Sequence, residues 1–280
     1  MLSYPACKIN AVDEQLNVLQ ITDMHLTTPT TLEATTALRE DQSQCQQHFD
    51  SSLKQALAED IRCDLILVTG DLVSKVDPLT YDYIFDALKK TQIPFACIAG
   101  NHDVTDELGY DLPFDQRQLI ARSMDSRLLN QHVIESEYWQ LLLLDSSVSG
   151  KISGVLANAD LDWLCQQLDN CDKPALLALH HHVLPMNSEW IDAHMVENAE
   201  EFWQRIDRYE QLRVIISGHT HQEQIRHKNG VTVYSTPSTC YQFLPNKDEF
   251  SYDEQASAGY RWLQLANNGN LASWVKRLDT

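Results

Sequence analysis

The sequence is short of basic residues and contains no long hydrophobic segment. It has 21 lysines and arginines against 40 aspartates and glutamates, which gives a formal net charge of -19 at pH 7. A chain with this charge repels polyanions at long range, so we expect it not to bind nucleic acid. The longest apolar runs, such as residues 141–144, are far too short to cross a bilayer, and we expect no membrane association.

The cysteines lack the spacing of a metal site. There are seven, an odd number, and no C-x-x-C pair occurs among them. Cys63 and Cys97 lie in or beside apolar, strand-like runs. The pattern therefore predicts neither a disulfide framework nor a thiolate zinc site. Residues 1–15 show no basic stretch followed by an apolar run, so we expect no signal peptide and a cytoplasmic location.

Short apolar runs alternate with amphipathic stretches in the first half of the chain. Strands are predicted at 17–22, 65–69 and 94–98, separated by helical patterns at 44–59 and 79–90. This alternation implies parallel strand pairing through crossover helices. The second half is richer in strands, predicted at 132–134, 139–144, 175–179, 213–217, 224–227, 231–235, 260–265 and 273–277, with helices at 158–168 and 198–209. A mixed pair of sheets flanked by helices accounts for this order.

No linker-like or repeated segment divides the 280 residues. We therefore expect one domain over residues 1–280, with its functional core at about 17–240. We also expect the C-terminal strands, at about 258–278, to complete the second sheet.

Five short polar motifs each follow the end of a predicted strand. They are Asp23-Met24-His25, Gly70-Asp71, Gly100-Asn101-His102-Asp103, His180-His181-His182 and Gly218-His219-Thr220-His221. In α/β folds the carboxyl ends of strands form the crevice in which ligands bind, so we expect these motifs to converge. Singly, D-x-H and Gly-Asp are more often loops and turns, and three histidines can be a chance polar run. Together and in this order, the motifs favour a function.

The residue types predict a site for two metal ions. Carboxylate, amide oxygen and imidazole suit divalent ions such as Mn, Fe, Co and Zn. Asp23 and His25 are two residues apart, so they point to the same side of an extended segment and can hold one ion together. His219 and His221 likewise share a side and can each reach one ion, and the two oxygens of Asp71 can bridge both.

The charge of such a site favours a phosphate ester as the substrate. Two divalent ions less the carboxylates of Asp23 and Asp71 leave about two positive charges, and a bridging hydroxide leaves about one. Asn101 adds an oxygen without adding negative charge. Ions about 3.5–4 Å apart can hold the hydroxide and polarise the phosphoryl oxygens. They also lower the pKa of water toward neutrality, so no side-chain base is required.

The ordered set of motifs resembles the calcineurin-like metallophosphoesterase superfamily over about residues 17–240. The resemblance implies an α/β (α+β) fold, a four-layer αββα sandwich in which two facing mixed β-sheets are flanked by helices. The stretches at 19–23, 141–146, 180–185 and 236–240 look like those of bacterial class III 3′,5′-cyclic AMP phosphodiesterases. Val183 stands where a proline is usual, and Thr220 where an apolar residue is more common, but neither change removes a ligand.

The resemblance also assigns roles to residues. Ligands of one metal would be Asp23, His25, Asp71 and His221, and ligands of the second would be Asp71, Asn101, His180 and His219. His180 is chosen because it directly follows the apolar strand. His102 would protonate the leaving 3′-oxygen as a general acid, with Asp103 orienting it. His181 and His182 are left as outer-shell or substrate contacts.

The implied reaction is hydrolysis of 3′,5′-cyclic AMP to 5′-AMP by a metal-bridging hydroxide, with Fe or Mn, or else Zn or Co, as cofactors. The catalytic residues would be His102, Asp71 and Asn101. The substrate-binding residues would be His25, Asn101, His102, His221 and Thr239. Residues 236–243, hydroxyl-rich and ending in aromatics, could hold the base or could be an ordinary turn. The partner would be a small cyclic nucleotide, and we expect a monomer or homodimer.

Other functions remain open at this point. A broader phosphodiesterase would act on 2′,3′-cyclic nucleotides or glycerophosphodiesters, and a phosphomonoesterase or protein phosphatase would use the same centre. A non-catalytic nucleotide-binding regulator would be expected to lack some of the ligands, and here all seven are present.

Overall fold

The computed structural model describes residues 4–27, 44–108, 118–121 and 125–279. The first sheet has the order β13-β12-β1-β2-β3, the second has the order β10-β11-β9-β8-β7-β6, and β4 pairs with β5 in a small third one. The strands are β1 (Gln15–Ile21), β2 (Leu65–Thr69), β3 (Phe95–Ile98), β4 (Thr105–Leu108), β5 (Gln118–Ala121), β6 (Gln131–Glu135), β7 (Gln140–Leu144), β8 (Ala175–Ala178), β9 (Leu212–Ser217), β10 (Gln224–Lys228), β11 (Val231–Ser235), β12 (Gly259–Ala266) and β13 (Leu271–Arg277).

Both large sheets are mixed. In the first, β1, β2 and β3 run parallel, while β12 is antiparallel to β1 and to β13. In the second, β7, β8, β9 and β11 run parallel, and β6 and β10 are antiparallel at the edges. The parallel strands of each sheet therefore bring the loops at their carboxyl ends to one edge of that sheet.

Helices cover the outer faces of the two sheets. They are α1 (Cys45–Ala58), α2 (Pro78–Lys90), α3 (Asn158–Asp169) and α5 (Ala199–Ile206), and the four-residue α4 (Glu189–Asp192) lies in the segment between β8 and α5. The α2 helix shows why they form where they do. The Asp77 carboxylate accepts from the Thr80 N–H at 3.1 Å as an N-cap, Pro78 opens the first turn, and Lys89 and Lys90 lie in the last.

Three apolar layers join these elements. Phe49 of α1 and Phe85 of α2 pack on the outer face of the first sheet. Leu164 of α3 and Phe202 of α5 pack on the outer face of the second. Alternate strand residues fill the space between the sheets, among them Val18, Leu67, Leu143, Leu176 and Ile216. The predicted four-layer αββα sandwich is confirmed.

The C-terminal strands lie in the first sheet, so the prediction that they complete the second sheet is wrong. The β12 strand pairs with β1 from Gln15↔Ala266 to Gln20↔Arg261. Its alternation explains the placement, because Trp262 packs toward the helices while Leu263 and Leu265 pack between the sheets. The sequence pattern specified a two-faced strand but not its neighbour.

The cysteines contain one pair that the sequence did not reveal. Cys45 and Cys240 form a disulfide across 195 residues of chain, and both are buried. The other five cysteines are free, so no disulfide framework exists. The sequence analysis also missed β4, β5 and the four-residue α4. Among the described helices, none combines the length and hydropathy needed to span a bilayer.

Candidate metal centre

The five motifs lie at the carboxyl ends of β1, β2, β3, β8 and β9, and backbone hydrogen bonds join their loops. In the first sheet, the Asp23 N–H donates to the Gly70 carbonyl and the His25 N–H to the Asp71 carbonyl, both at 3.0 Å. In the second sheet, the Gly218 N–H donates to the His180 carbonyl at 3.1 Å. The strand pairing thus continues into the loops and fixes where their side chains project.

Three further hydrogen bonds cross from one sheet to the other. The His219 N–H donates to both carboxylate oxygens of Asp23, at 3.0 and 3.1 Å. The His180 Nδ1–H donates to the Thr69 carbonyl at 2.8 Å. Residues nearly 200 positions apart in sequence are therefore held in direct contact at the shared edge.

The backbone is strained at five of the predicted ligands. Left-handed φ angles occur at Asp23 (52°), His25 (45°), Asp71 (51°), His219 (65°) and His221 (49°). This conformation is unfavourable for residues with a Cβ and persists only when the surrounding structure enforces it. Its concentration at these five positions marks the edge of the sheets as a functional site.

Glycines give the ligands room. Gly70 has a φ of +95°, and a Cβ there would overlap the His180 ring. A Cβ at Gly218 would overlap Thr22 and the Asp23 carboxylate. A side chain at either position would displace a predicted ligand, which explains the glycine in each motif.

One group of ligands gathers around the Nε2 atom of His221. This nitrogen lies 3.1 Å from His25 Nε2 and 3.3 Å from Asp23 Oδ1. His25 Nε2 is also 3.7 Å from Asp71 Oδ2. The His221 Nδ1–H donates to the Tyr241 carbonyl at 2.8 Å, so its Nε2 carries a lone pair directed into the group.

A second group gathers around the Nε2 atom of His180. This nitrogen lies 3.4 Å from Asp71 Oδ2 and 3.3 Å from Asn101 Oδ1. Because Nδ1 donates to Thr69, Nε2 is the atom of His180 that would bind a cation, in exchange for its proton. The ring of His219 lies 5.1 Å from that of His180, centre to centre, and its buried Nε2 has no hydrogen-bond partner in the described part of the chain. Asp71 stands between the two groups.

The residues fit a pair of divalent cations. All seven predicted ligands are buried, and all but Asn101 place a ligand-type atom within 4.8 Å of its neighbours in overlapping sets of three, two of which also include His102 or His181. Buried carboxylates and unpartnered imidazoles are costly unless a cation compensates them. Burial, the leading cause, lowers the pKa of His25 and His219, which keeps both neutral as metal binding requires.

The Asp71 carboxylate is ionised although it is buried. Burial alone would raise its pKa, but His180 and His102 hold the pKa well below its usual range. Burial likewise opposes charge on His180, yet Asp71 raises the His180 pKa to about 10. The pair is therefore a buried carboxylate beside a protonated imidazole. A metal cation could bind between them in place of the proton.

His181 is not placed as a ligand, because both of its ring nitrogens are used elsewhere. Its Nε2–H donates to the Ile152 carbonyl at 2.9 Å, and its Nδ1 pairs with the Ser146 hydroxyl at 2.8 Å. The Nε2 of His182 lies 3.5 Å from Asp192 Oδ1, behind the ring of His219. Of the three histidines, His180 alone directs a ring nitrogen, Nε2, toward Asp71 and Asn101.

His102 is oriented by a backbone carbonyl. Its Nδ1–H donates to the Ser74 carbonyl at 3.1 Å, and its ring lies edge-to-face against that of His25 at 4.7 Å, centre to centre. The prediction that Asp103 orients His102 is wrong. The Asp103 carboxylate instead accepts from the Gly100 N–H at 2.8 Å and the Tyr81 hydroxyl at 2.7 Å, and it holds the turn that carries Asn101. Burial raises its pKa to about 7.

Thr239, which is predicted to contact the substrate, packs against Thr22. The residue is fully buried, and its N–H and hydroxyl both contact the Thr22 carbonyl, at 3.1 and 3.5 Å. Its role is to hold the strand end that precedes Asp23. Tyr241 and Phe243 do reach the centre, since the Tyr241 ring stacks on His25 at 5.2 Å and the Phe243 ring on His221 at 4.2 Å.

Sequence reasoning missed the groups that orient the imidazoles. They are the backbone carbonyls of Thr69, Ser74 and Tyr241. A carbonyl is present at every residue, so no residue type marks it. Only the folded chain identifies which carbonyl meets which ring.

The chain is similar in sequence to proteins of one known family. A family model described as calcineurin-like phosphoesterase matches residues 16–223. A Psychrobacter arcticus protein named probable cyclic nucleotide phosphodiesterase is 63% identical over 100% of both chains. An Escherichia coli protein named 3′,5′-cyclic adenosine monophosphate phosphodiesterase CpdA is 33% identical over 96% of this chain and 92% of its own.

A solved structure shows the same fold. It is a dimetal phosphatase from Danio rerio, which is 13% identical, with a TM-score of 0.61 over 94% of this chain and 98% of that one. At this identity the likeness concerns the architecture alone.

Proposed function

The chain belongs to the calcineurin-like phosphoesterase family, and from that membership we propose that it hydrolyses 3′,5′-cyclic AMP to 5′-AMP. The substrate is supported by the names of the relatives from Psychrobacter arcticus and Escherichia coli. The observation that carries the chemistry is the convergence of seven buried oxygen and nitrogen ligands in two groups that share Asp71.

Two metal ions, Fe or Mn or else Zn or Co, would lower the pKa of a water molecule and polarise the phosphoryl oxygens of a diester. Asp23, His25, Asp71 and His221 would hold one ion. Asn101, His180 and His219 would hold the other together with Asp71. Asn101 supplies an oxygen without charge, so the site stays positive toward a phosphate.

His102 would act on the leaving group. It is half-buried, and the bond from its Nδ1–H to the Ser74 carbonyl fixes the ring and directs Nε2 away from that carbonyl. A protonated Nε2 can donate to the departing 3′-oxygen, which general acid catalysis requires to be within hydrogen-bond reach. The backbone N–H of His102 donates to Asp71 Oδ1 at 2.8 Å, so the position of the acid is tied to that of the shared carboxylate.

Cellular setting and assembly belong to the same proposal. We expect a cytoplasmic enzyme that is a monomer or homodimer. Five of the seven cysteines are free, as is usual in a reducing compartment, whereas the Cys45–Cys240 disulfide is not typical of one. The substrate is a small molecule, and the net charge of -19 disfavours nucleic acid as a partner.

The test is a product assay on purified protein loaded with Mn or Fe. We expect cyclic AMP to give 5′-AMP and no 3′-AMP, and a chelator to abolish turnover that added Mn restores. Parallel reactions contain 2′,3′-cyclic AMP, glycerophosphocholine and p-nitrophenyl phosphate. If only the diesters other than cyclic AMP react, the enzyme is a broader phosphodiesterase, and if only the monoester reacts, it is a phosphomonoesterase.

A further inference from the structure

Five aromatic side chains from three separate segments pack together beside the metal centre. This aromatic cluster consists of Trp190 of α4, Tyr241 and Phe243 after β11, and Phe250 and Tyr252 further along the chain. Phe250 has ring centres within 5.4 Å on three sides: Tyr252 at 4.9 Å, Trp190 at 5.1 Å and Phe243 at 5.4 Å. The contacts are mostly edge-to-face, which fixes the rings relative to one another.

The aromatic cluster is continuous with the ligands. The Phe243 ring stacks on the His221 ring at 4.2 Å, and the Tyr241 ring stacks on the His25 ring at 5.2 Å. Tyr241 also accepts the Nδ1–H of His221 with its carbonyl. Phe250 is therefore separated from a metal ligand by a single intervening ring, that of Phe243.

The outer part of the aromatic cluster is open. Phe250 is 49% exposed, although a phenylalanine side chain is normally withdrawn from water. A cavity of about 670 Å³ adjoins it, bordered by Tyr241, Phe250, Tyr252 and His48 among other residues. Tyr241 borders this cavity and also stacks on His25, so it connects the cavity to the predicted metal centre. The rings that border the cavity offer a stacking surface to a flat, apolar group.

We propose that the aromatic cluster binds the nucleobase of the substrate, with Phe250 as the ring on which the base stacks. This inference rests on the proposed function and assigns the specificity of that same site. The phosphate would lie at the ligand groups, and the base would reach past Phe243 to Phe250. The sequence analysis proposed residues up to Phe243 for the base, whereas Trp190, Phe250 and Tyr252 join them only in the fold.

Stacking predicts a particular kind of selectivity. Every base has a π face, so a stacking surface favours any nucleotide over a sugar phosphate and discriminates weakly among bases. Purines, with the larger face, should bind more tightly than pyrimidines. A preference among purines would need hydrogen bonds that the aromatic rings do not supply.

The experiment measures inhibition by two products that share a phosphate and differ in the base. The probes are 5′-AMP and ribose 5-phosphate, tested as competitive inhibitors of bis(p-nitrophenyl) phosphate hydrolysis by the metal-loaded enzyme. For Phe250→Ala we expect the inhibition constant of 5′-AMP to rise about tenfold or more and that of ribose 5-phosphate to stay unchanged. Phe250→Trp should restore tight binding of 5′-AMP, and Ile225→Ala, a loss of an equally exposed side chain on β10, should change neither constant.

Equal changes for 5′-AMP and ribose 5-phosphate in Phe250→Ala would overturn the proposal, because the loss would then be structural. No change for either inhibitor would overturn it as well. The assay does not depend on cyclic AMP turnover. Failure of the wild-type enzyme to hydrolyse cyclic AMP would refute the proposed function, while the two inhibition constants would still decide whether the aromatic cluster binds a base.

Discussion

The Nε2 atoms of His25 and His221 face each other at 3.1 Å. The Nδ1–H of His221 is committed to the Tyr241 carbonyl, so its Nε2 presents a lone pair to the other ring. Two imidazole nitrogens bound to one cation at about 2.0–2.1 Å would stand about this far apart. The same geometry recurs around Asp71, whose Oδ2 atom lies 3.7 Å from His25 Nε2 and 3.4 Å from His180 Nε2.

Removal of the shared carboxylate should empty both metal positions. We expect Asp71→Ala to retain almost no metal, because both ligand groups lose an oxygen and their negative charge. His221→Ala, which removes a ligand from one group only, should keep about half of the wild-type content. Elemental analysis after desalting measures both variants. Substantial metal in Asp71→Ala would contradict the sharing of that carboxylate.

Substitution of the neighbouring residues His180 and His181 should distinguish a metal ligand from a structural histidine. His180→Ala should lose metal from one position and nearly all activity. His181→Ala should keep both metals, but it removes the ring that pairs with the Ile152 carbonyl and with the buried Ser146 hydroxyl. We expect it to lower the free energy of unfolding by about 1–3 kcal/mol. Metal content and urea denaturation distinguish the two, and the reverse result would assign the ligand to His181.

His102→Ala should lower kcat far more than metal content. A positioned general acid contributes about 10²–10⁴-fold, so we expect a loss of that size with cyclic AMP. A diester with a p-nitrophenolate leaving group needs little protonation and should lose much less. Steady-state kinetics with both substrates, beside elemental analysis, test this. Equal losses with the two leaving groups would show that His102 is not the acid.

Asp145, which directly follows β7, should make stability depend on pH. Burial raises the pKa of its carboxyl to about 6, against hydrogen bonds from Ser147 that favour the charged form. The unfolded value is about 3.9, so the folded chain holds the proton more tightly and its stability falls as pH rises from about 4 to 6.

The Asp145→Asn side chain cannot ionise, so the variant should not lose stability between about pH 4 and pH 6. Its amide oxygen can still accept the hydrogen bonds from Ser147. The stability of the variant relative to wild type should therefore increase over this pH window and be constant above it. Urea unfolding of both proteins from pH 4 to pH 7 measures the difference. A difference that does not change with pH would refute the prediction.

The Cys45–Cys240 disulfide should be visible in thiol counts. Protein isolated without reductant and unfolded with an alkylating agent should acquire five labels, from its free cysteines, and seven after reduction. In the folded protein, exposed Cys7 should react first. Burial raises the pKa of Cys63 to about 12, so that thiol should stay unlabelled until unfolding. Seven labels without reductant would exclude the bond.

The sequence alone predicted the ligands and located most of the helices and strands. Hydrophobic periodicity is local, so it located β2 and β11 to the residue and the other predicted strands and helices within about three residues, while β4, β5 and α4 were missed. Ligand chemistry is local as well, because Asp23, Asn101 and His219 must be polar whatever surrounds them. The order of the motifs then sufficed for the fold, which the matched family confirmed.

Only the tertiary structure decided what depends on contacts between distant segments. The pairing of β12 with β1, the disulfide of Cys45 with Cys240, the Ser74 carbonyl behind His102 and the approach of Phe250 to His221 each join residues from different parts of the chain. The sequence shows that a backbone carbonyl or an aromatic ring is present, but it does not show which residue it contacts. Its role is set by the neighbour that packing brings to it, and packing is a property of the whole fold.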